Sequence, residues 1–143
     1  MIDMSRKIHD YASDQIKVTY EPRRCIHAAA CVRSLPEVFD PTERRWIRPE
    51  RGSPEEIAAA VARCPTGALQ FERLDGGPAE APPDVHTIVA TRNGPLLVHG
   101  RLRLNLGDDI TRDETRVALC RCGHSQNKPY CDDSHVGAGF RAD

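Results

Sequence analysis

Aromatic residues are scarce in this chain, with one tryptophan, three tyrosines and three phenylalanines among 143 residues. So few large side chains exclude one extensive hydrophobic core, and small units held by some other staple are expected. Long apolar runs are missing too; nothing approaches the ~20 residues of a membrane-spanning helix. The N-terminus carries Asp3, Asp10 and Asp14 and no apolar stretch of the kind a secretion signal has, so a cytoplasmic protein without membrane attachment is expected. Nor does either charge dominate. The net charge is −1, with 12 basic and 11 acidic residues over 1–74 and eight against seven over 85–143. That balance argues against general nucleic-acid binding. No nucleophile with a well-spaced base, no glycine-rich phosphate loop and no paired acids stand out, so enzymatic activity is not expected.

Cysteine is what the chain does have. Cys25, Cys31 and Cys64 precede the segment 75–84, and Cys120, Cys122 and Cys131 follow it. In a chain without a secretion signal, cysteine clusters point to metal rather than disulfides. Segment 75–84 itself contains two glycines, three prolines and no large apolar residue, the composition of a linker. The expected organisation is a domain over 1–74, a linker over 75–84 and a domain over 85–143, each domain with its own metal site.

The fold expected is α+β, a small mixed unit followed by a small, mostly β unit. In the first, residues 16–20 alternate as a strand, 28–35 form a short helix ended by Pro36, and 68–72 form a last strand. Ser53, Pro54 and Glu56 are a helix start, with Ser53 as N-cap and Glu56 closing a capping box, and the helix runs over 54–63. In the second, strands at 85–90 and 96–98 flank a turn at Arg92-Asn93-Gly94-Pro95. Leu102, Leu104 and Leu106 alternate with polar residues, and 117–119 leads directly into Cys120.

The segment from Cys120 to His135 supplies three thiolates and one imidazole. Such a set suits zinc or an iron–sulfur cluster. Its first pair is Cys-x-Cys, however, closer than the spacing usual for zinc. Cys120, Cys122, Ser125, Pro129, Cys131, Asp132, Ser134 and His135 together resemble the CDGSH iron–sulfur motif of the mitoNEET-type family. The departure is Asp133, where the family has glycine; a positive φ is expected there, and an added negative charge near the site. The resemblance implies a 2Fe-2S cluster held by Cys120, Cys122, Cys131 and His135. It also implies a homodimer, since two motifs commonly sit together in that family. A neutral histidine ligand raises the potential relative to four cysteines. Protonation of His135 would compete with iron, so acid lability is expected. His124 reads as a solvent-facing residue; Arg121 and Lys128 are either solvated or placed to neutralise the cluster.

Cys25, Cys31 and Cys64-Pro65, with Leu35-Pro-Glu-Val-Phe39 and Trp46-Ile47 between them, resemble the divergent mono-cluster ferredoxin family over residues 15–73. Ala28 stands where that family has a further cysteine. Three cysteines suit a 3Fe-4S cluster; a 4Fe-4S cluster would need a fourth ligand, for which His27 is the best placed. Trp46 is expected in the core or over the cluster. Arg23, Arg24, Arg44, Arg45, Arg48 and Arg51 read as a solvated face, or else a docking patch for an acidic redox partner. The function expected is electron transfer between two clusters. The alternatives are a cluster carrier serving an apo-acceptor protein, a redox or pH sensor, and a zinc-bearing structural module.

Overall fold

A computed structural model describes residues 7–26 and 29–142. Its first unit is an antiparallel sheet in the order β1-β2-β3, formed by β1 (His9–Ala12), β2 (Ile16–Tyr20) and β3 (Leu69–Arg73). β2 pairs with β3 so that Ile16 faces Arg73 and Tyr20 faces Leu69. α2 (Pro54–Ala62) packs on β3, and α1 (Ala30–Ser34) packs against α2. α2 begins as its sequence dictates. The Glu56 amide donates to the Ser53 hydroxyl at 3.2 Å, and Pro54 occupies a position whose missing N–H costs nothing. The helix buries Ile57, Ala60 and Val61 against Ile16, Val18, Val38, Phe39, Ile47 and Leu69, and this cluster is the core.

The second unit is an antiparallel sheet in the order β4-β5-β6, formed by β4 (Thr87–Ala90), β5 (Leu96–Asn105) and β6 (Thr111–Leu119). Asn93 takes φ 55° in the turn before β5, where the Gly94 amide donates to the Thr91 carbonyl at 3.3 Å. A short helix, α3 (Ser134–Gly137), ends the unit. The α+β class and the two small units agree with the sequence reading.

Several boundaries differ. β1 was not foreseen: its sequence is His-Asp-Tyr-Ala, without an apolar alternation to reveal it. β5 is one strand, not two, with its register shifted between His99 and Leu102. At that irregularity the Arg101 amide donates to His86 Nδ1 at 3.1 Å, and a Cβ on Gly100 would fall 2.2 Å from the same nitrogen. Only glycine lets the imidazole approach this closely.

Segment 75–84 has no helix or strand, but it is anchored. Arg73 grips Asp75 at 2.7 Å, and Arg116 grips Glu80 through two bonds of 2.8 and 2.9 Å. The sheets are then joined by buried charge. Arg24, 1% exposed, donates to the Glu114 carboxylate and to the carbonyls of Thr66 and Arg116. Its guanidinium lies 4.3 Å from the centre of the Tyr130 ring, and the Tyr130 hydroxyl donates to Glu114 at 2.9 Å. This corrects the reading of Arg24 as part of a solvated face. Arg45, Arg48 and Arg51 do reach solvent, but they pair with Glu50 and Glu43.

Candidate metal centres

In the first unit, three separate elements deliver the cysteines. Cys25 closes a single 3-10 turn (Pro22–Arg24), its amide donating to the Pro22 carbonyl at 3.1 Å. Cys31 sits in the first turn of α1, which Ala29 enters from a left-handed conformation, φ 62°. Cys64 follows α2, its amide bonded to the Val61 carbonyl. All three line one small cavity with Tyr20, Trp46 and Pro65, and the Trp46 ring meets Tyr20 edge-on at 4.9 Å. Trp46 thus covers the cysteines, as expected. Ala28 and the proposed ligand His27 lie outside the described residues.

The electrostatics of this cavity suit a cation. Burial, and then the charges of Cys64 and Cys25, push the Cys31 thiol up to about 11. Burial and the hydrogen bond to Cys25 likewise raise the Tyr20 hydroxyl. Burial acts to raise Cys64 as well, but there it is overcome. The Thr66 hydroxyl at 3.5 Å, the amides of Leu69 and Thr66, and the charge of Arg116 leave Cys64 lowered. Three thiols brought to one cavity, with the Cys31 thiol held protonated by burial and by its neighbours, fit a polynuclear metal group, which supplies the positive charge the cavity lacks.

In the second unit, β6 ends one residue before Cys120 and the following loop folds back on it. The Cys120 amide donates to the Pro129 carbonyl at 2.9 Å, and the Cys131 amide to the Ala118 carbonyl at 2.8 Å. Cys120 Sγ and Cys122 Sγ lie 3.8 Å apart, and Cys131 Sγ lies 3.4 Å from His135 Nδ1. The loop amides point at sulfur. His124, whose side chain is exposed, gives its N–H to Cys122 Sγ at 3.4 Å. Burial opposes ionisation of Cys120, but the amides of Ser125 and Gly123 outweigh it and lower the thiol. Cys131 is raised by burial, then by the charges of Asp133, Asp132 and Cys120. Amide donors trained on sulfur, with an imidazole nitrogen beside them, fit a thiolate-and-histidine metal set.

The remaining motif residues build the loop. Ser125 donates to the Tyr130 carbonyl at 2.5 Å and accepts from the Asn127 amide at 3.0 Å. The Asp132 carboxylate accepts from the amides of Gln126 and Ser134, which together hold it low against the effect of burial. Asp133 has φ 73°, the left-handed conformation expected where glycine is replaced. Its carboxylate joins Cys131 and His135 in one group of donor atoms within 4.8 Å of one another, a proximity the sequence reading did not include. Arg121 ties the carbonyls of Gly94 and Thr91 at 2.7 and 2.6 Å.

Glu114, Arg116, Tyr130 and Gly67 were missed as partners of these sites. The available signal was Glu114-Thr-Arg116, two charges placed on the same face of a strand that runs into a ligand.

Comparison with known proteins agrees with the geometry. Residues 11–74 match the family described as divergent 4Fe-4S mono-cluster, and residues 93–136 match the family described as iron-binding zinc finger, CDGSH type. The chain carries these two iron-binding domains in that order. It is also similar to the uncharacterized protein YjdI of Escherichia coli strain K12 and of E. coli O157:H7. Each is 28% identical over 61 residues, 43% of this chain and 80% of YjdI. No solved structure matches the chain. Among the described residues, no helix is long and apolar enough to cross a membrane.

Proposed function

We propose that this chain is a cytoplasmic, non-enzymatic electron-transfer protein with two iron–sulfur clusters. Cys120, Cys122, Cys131 and His135 hold a 2Fe-2S cluster. Cys25, Cys31 and Cys64 hold a 3Fe-4S cluster, or a 4Fe-4S cluster if His27 or another group completes the set. When bound, the clusters supply one-electron chemistry; the chain supplies thiolates, amide hydrogen bonds to sulfur, and cover from water. The observation that carries the reading is the pair of donor sets, three cysteines lining one cavity and, in the second unit, thiols that accept from loop amides beside an imidazole, within domains that match iron-binding families.

An open groove of about 1060 Å³ beside Cys120 supports a redox partner with an acidic surface. Among the described residues, Arg23, Arg103, Arg112, Arg121 and Lys128 line it, and no carboxylate residue does. Such a field raises the encounter rate with an anionic surface at low salt. A second copy of the chain suits the free edge of β4, where Val85, Ile88 and Val89 are exposed.

EPR of the anaerobically purified protein, oxidised and then reduced with dithionite, tests the proposal. An oxidised-state 3Fe-4S signal with a reduced 2Fe-2S signal supports it with three-cysteine ligation. A silent oxidised state with two reduced signals supports it with 4Fe-4S. Transfer of the intact C-terminal cluster to an apo-protein would favour the carrier reading instead.

A further inference from the structure

The contacts between the two units fall on the residues next to their candidate ligands. Arg24 precedes Cys25, Thr66 lies two residues after Cys64, and Tyr130 precedes Cys131; the Arg24 guanidinium touches both Thr66 and Tyr130. Arg116 makes the connection in the opposite direction. It lies on β6 ahead of Cys120, and it donates to the Cys64 carbonyl at 2.5 Å and to the Leu69 carbonyl at 2.9 Å.

Resting on the reading of both sites as iron–sulfur centres, we propose that Arg24 and Arg116 are positioning residues that couple them, so that filling one site strengthens the other's hold on its iron.

Three features carry this. The network is buried: Arg24, Glu114 and Arg116 are 1%, 8% and 5% exposed. In low dielectric a charged network is stable when complete and costly when half-made, so it forms as a unit. There is also little slack. Gly67 sits so close that a Cβ there would fall 2.2 Å from the Arg116 carbonyl and 2.4 Å from an Arg24 nitrogen. Lastly, metal sites of this kind order the loops that supply their ligands. When metal fixes the Cys120–Cys131 loop, Tyr130 and the end of β6 are fixed too, and with them the partners of Arg24 and the carbonyl contact to Cys64. The second site then binds metal with part of its ordering cost already met. By linkage the effect runs equally in both directions.

The test is a cycle of four full-length proteins: wild type, Cys122→Ser, Arg24→Gln, and both changes together. Iron loss from the Cys25/Cys31/Cys64 site to a chelator is followed by that site's own EPR signal. Cys122→Ser, which disables only the distant site, is expected to speed the loss on the order of tenfold. In the Arg24→Gln background the same change is expected to add nothing. Should Arg24→Gln fail to fold, Arg116→Lys takes its place; it keeps the charge beside Glu80 but loses the forked donation to Cys64 and Leu69. An unchanged rate in Cys122→Ser, or an equal acceleration in both backgrounds, overturns the coupling while leaving two iron-filled sites. A wild-type protein without iron at the first site overturns the functional reading and the coupling with it.

Discussion

Arg24 of the first unit and Glu114 of the second meet at 2.9 Å with side chains 1% and 4% exposed. The pair stands on complementary hydrogen bonds from both sides, including that of the Tyr130 hydroxyl. Replacing Arg24 by alanine leaves Glu114 buried without its cation. Loss of one partner of such a pair costs about 3–5 kcal/mol. Urea unfolding of Arg24→Ala is expected to show a loss of that order, whereas a change within a few tenths would mean the pair is open to water.

Gly67 is a second point of control. It has φ +74°, and a side chain there would collide with the Arg116 carbonyl. Gly67→Ala is expected to cost the left-handed penalty of about 1–2 kcal/mol and a further amount for separating the units. Hydrogen exchange is the suitable readout. The backbone of β6 near Arg116 should lose protection, and the amides at the centre of α2 should not.

Asp133 carries both strain and charge. Asp133→Gly relieves a left-handed non-glycine residue and is expected to stabilise the fold by about 1 kcal/mol. It also removes a carboxylate that acts to raise Cys131. The reduction potential of the C-terminal centre should therefore rise, because one negative charge fewer opposes the incoming electron. A redox titration that found the potential unchanged or lowered would place the carboxylate away from the cluster.

Without iron, Cys31 makes stability depend on pH. Its thiol moves from an ordinary 9.0 up to about 11 in the folded chain. The native state therefore holds a proton that the unfolded state releases between those values, and stability falls as pH rises through this window. The iron-free protein should lose stability between pH 9 and 11, and Cys31→Ala should flatten that part of the curve. Thermal melts across the range check this.

At the other site, acid is the relevant challenge. A proton competes with iron for the His135 imidazole, whereas the corresponding thiolate resists until lower pH. His135→Cys should keep the visible absorption of the C-terminal centre at pH values where wild type bleaches. Equal bleaching in both proteins would remove His135 from the ligand set.

How much of this was legible in the sequence differs between parts of the molecule. The closeness of Cys120 to Cys122 and of Cys131 to His135 was, because spacing along one loop and one helical turn sets it locally. The α2 cap was legible for the same reason, since Ser53 and Glu56 meet across three residues. β1 was not, because its pairing with β2 rests on backbone bonds and a largely exposed face. The union of the two units was also hidden. Arg24 and Glu114 are 90 residues apart in sequence, and a charged residue in a loop looks solvated until the fold shows what covers it. The glycine-rich and proline-rich run at 75–84 reads as a linker and by itself leaves the docking of the units open, while Glu80 within it is tied to Arg116.

The central claim, that one chain holds two iron–sulfur centres, is most directly tested by counting iron, acid-labile sulfide and zinc in anaerobically purified full-length protein. Wild type and Cys122→Ser should be compared on the same preparation. The account predicts iron and sulfide in excess of what one 2Fe-2S cluster holds, little zinc, and a fall by that cluster's share in the variant. Zinc without sulfide at the C-terminal site, or iron that vanishes wholly with Cys122→Ser, would contradict it.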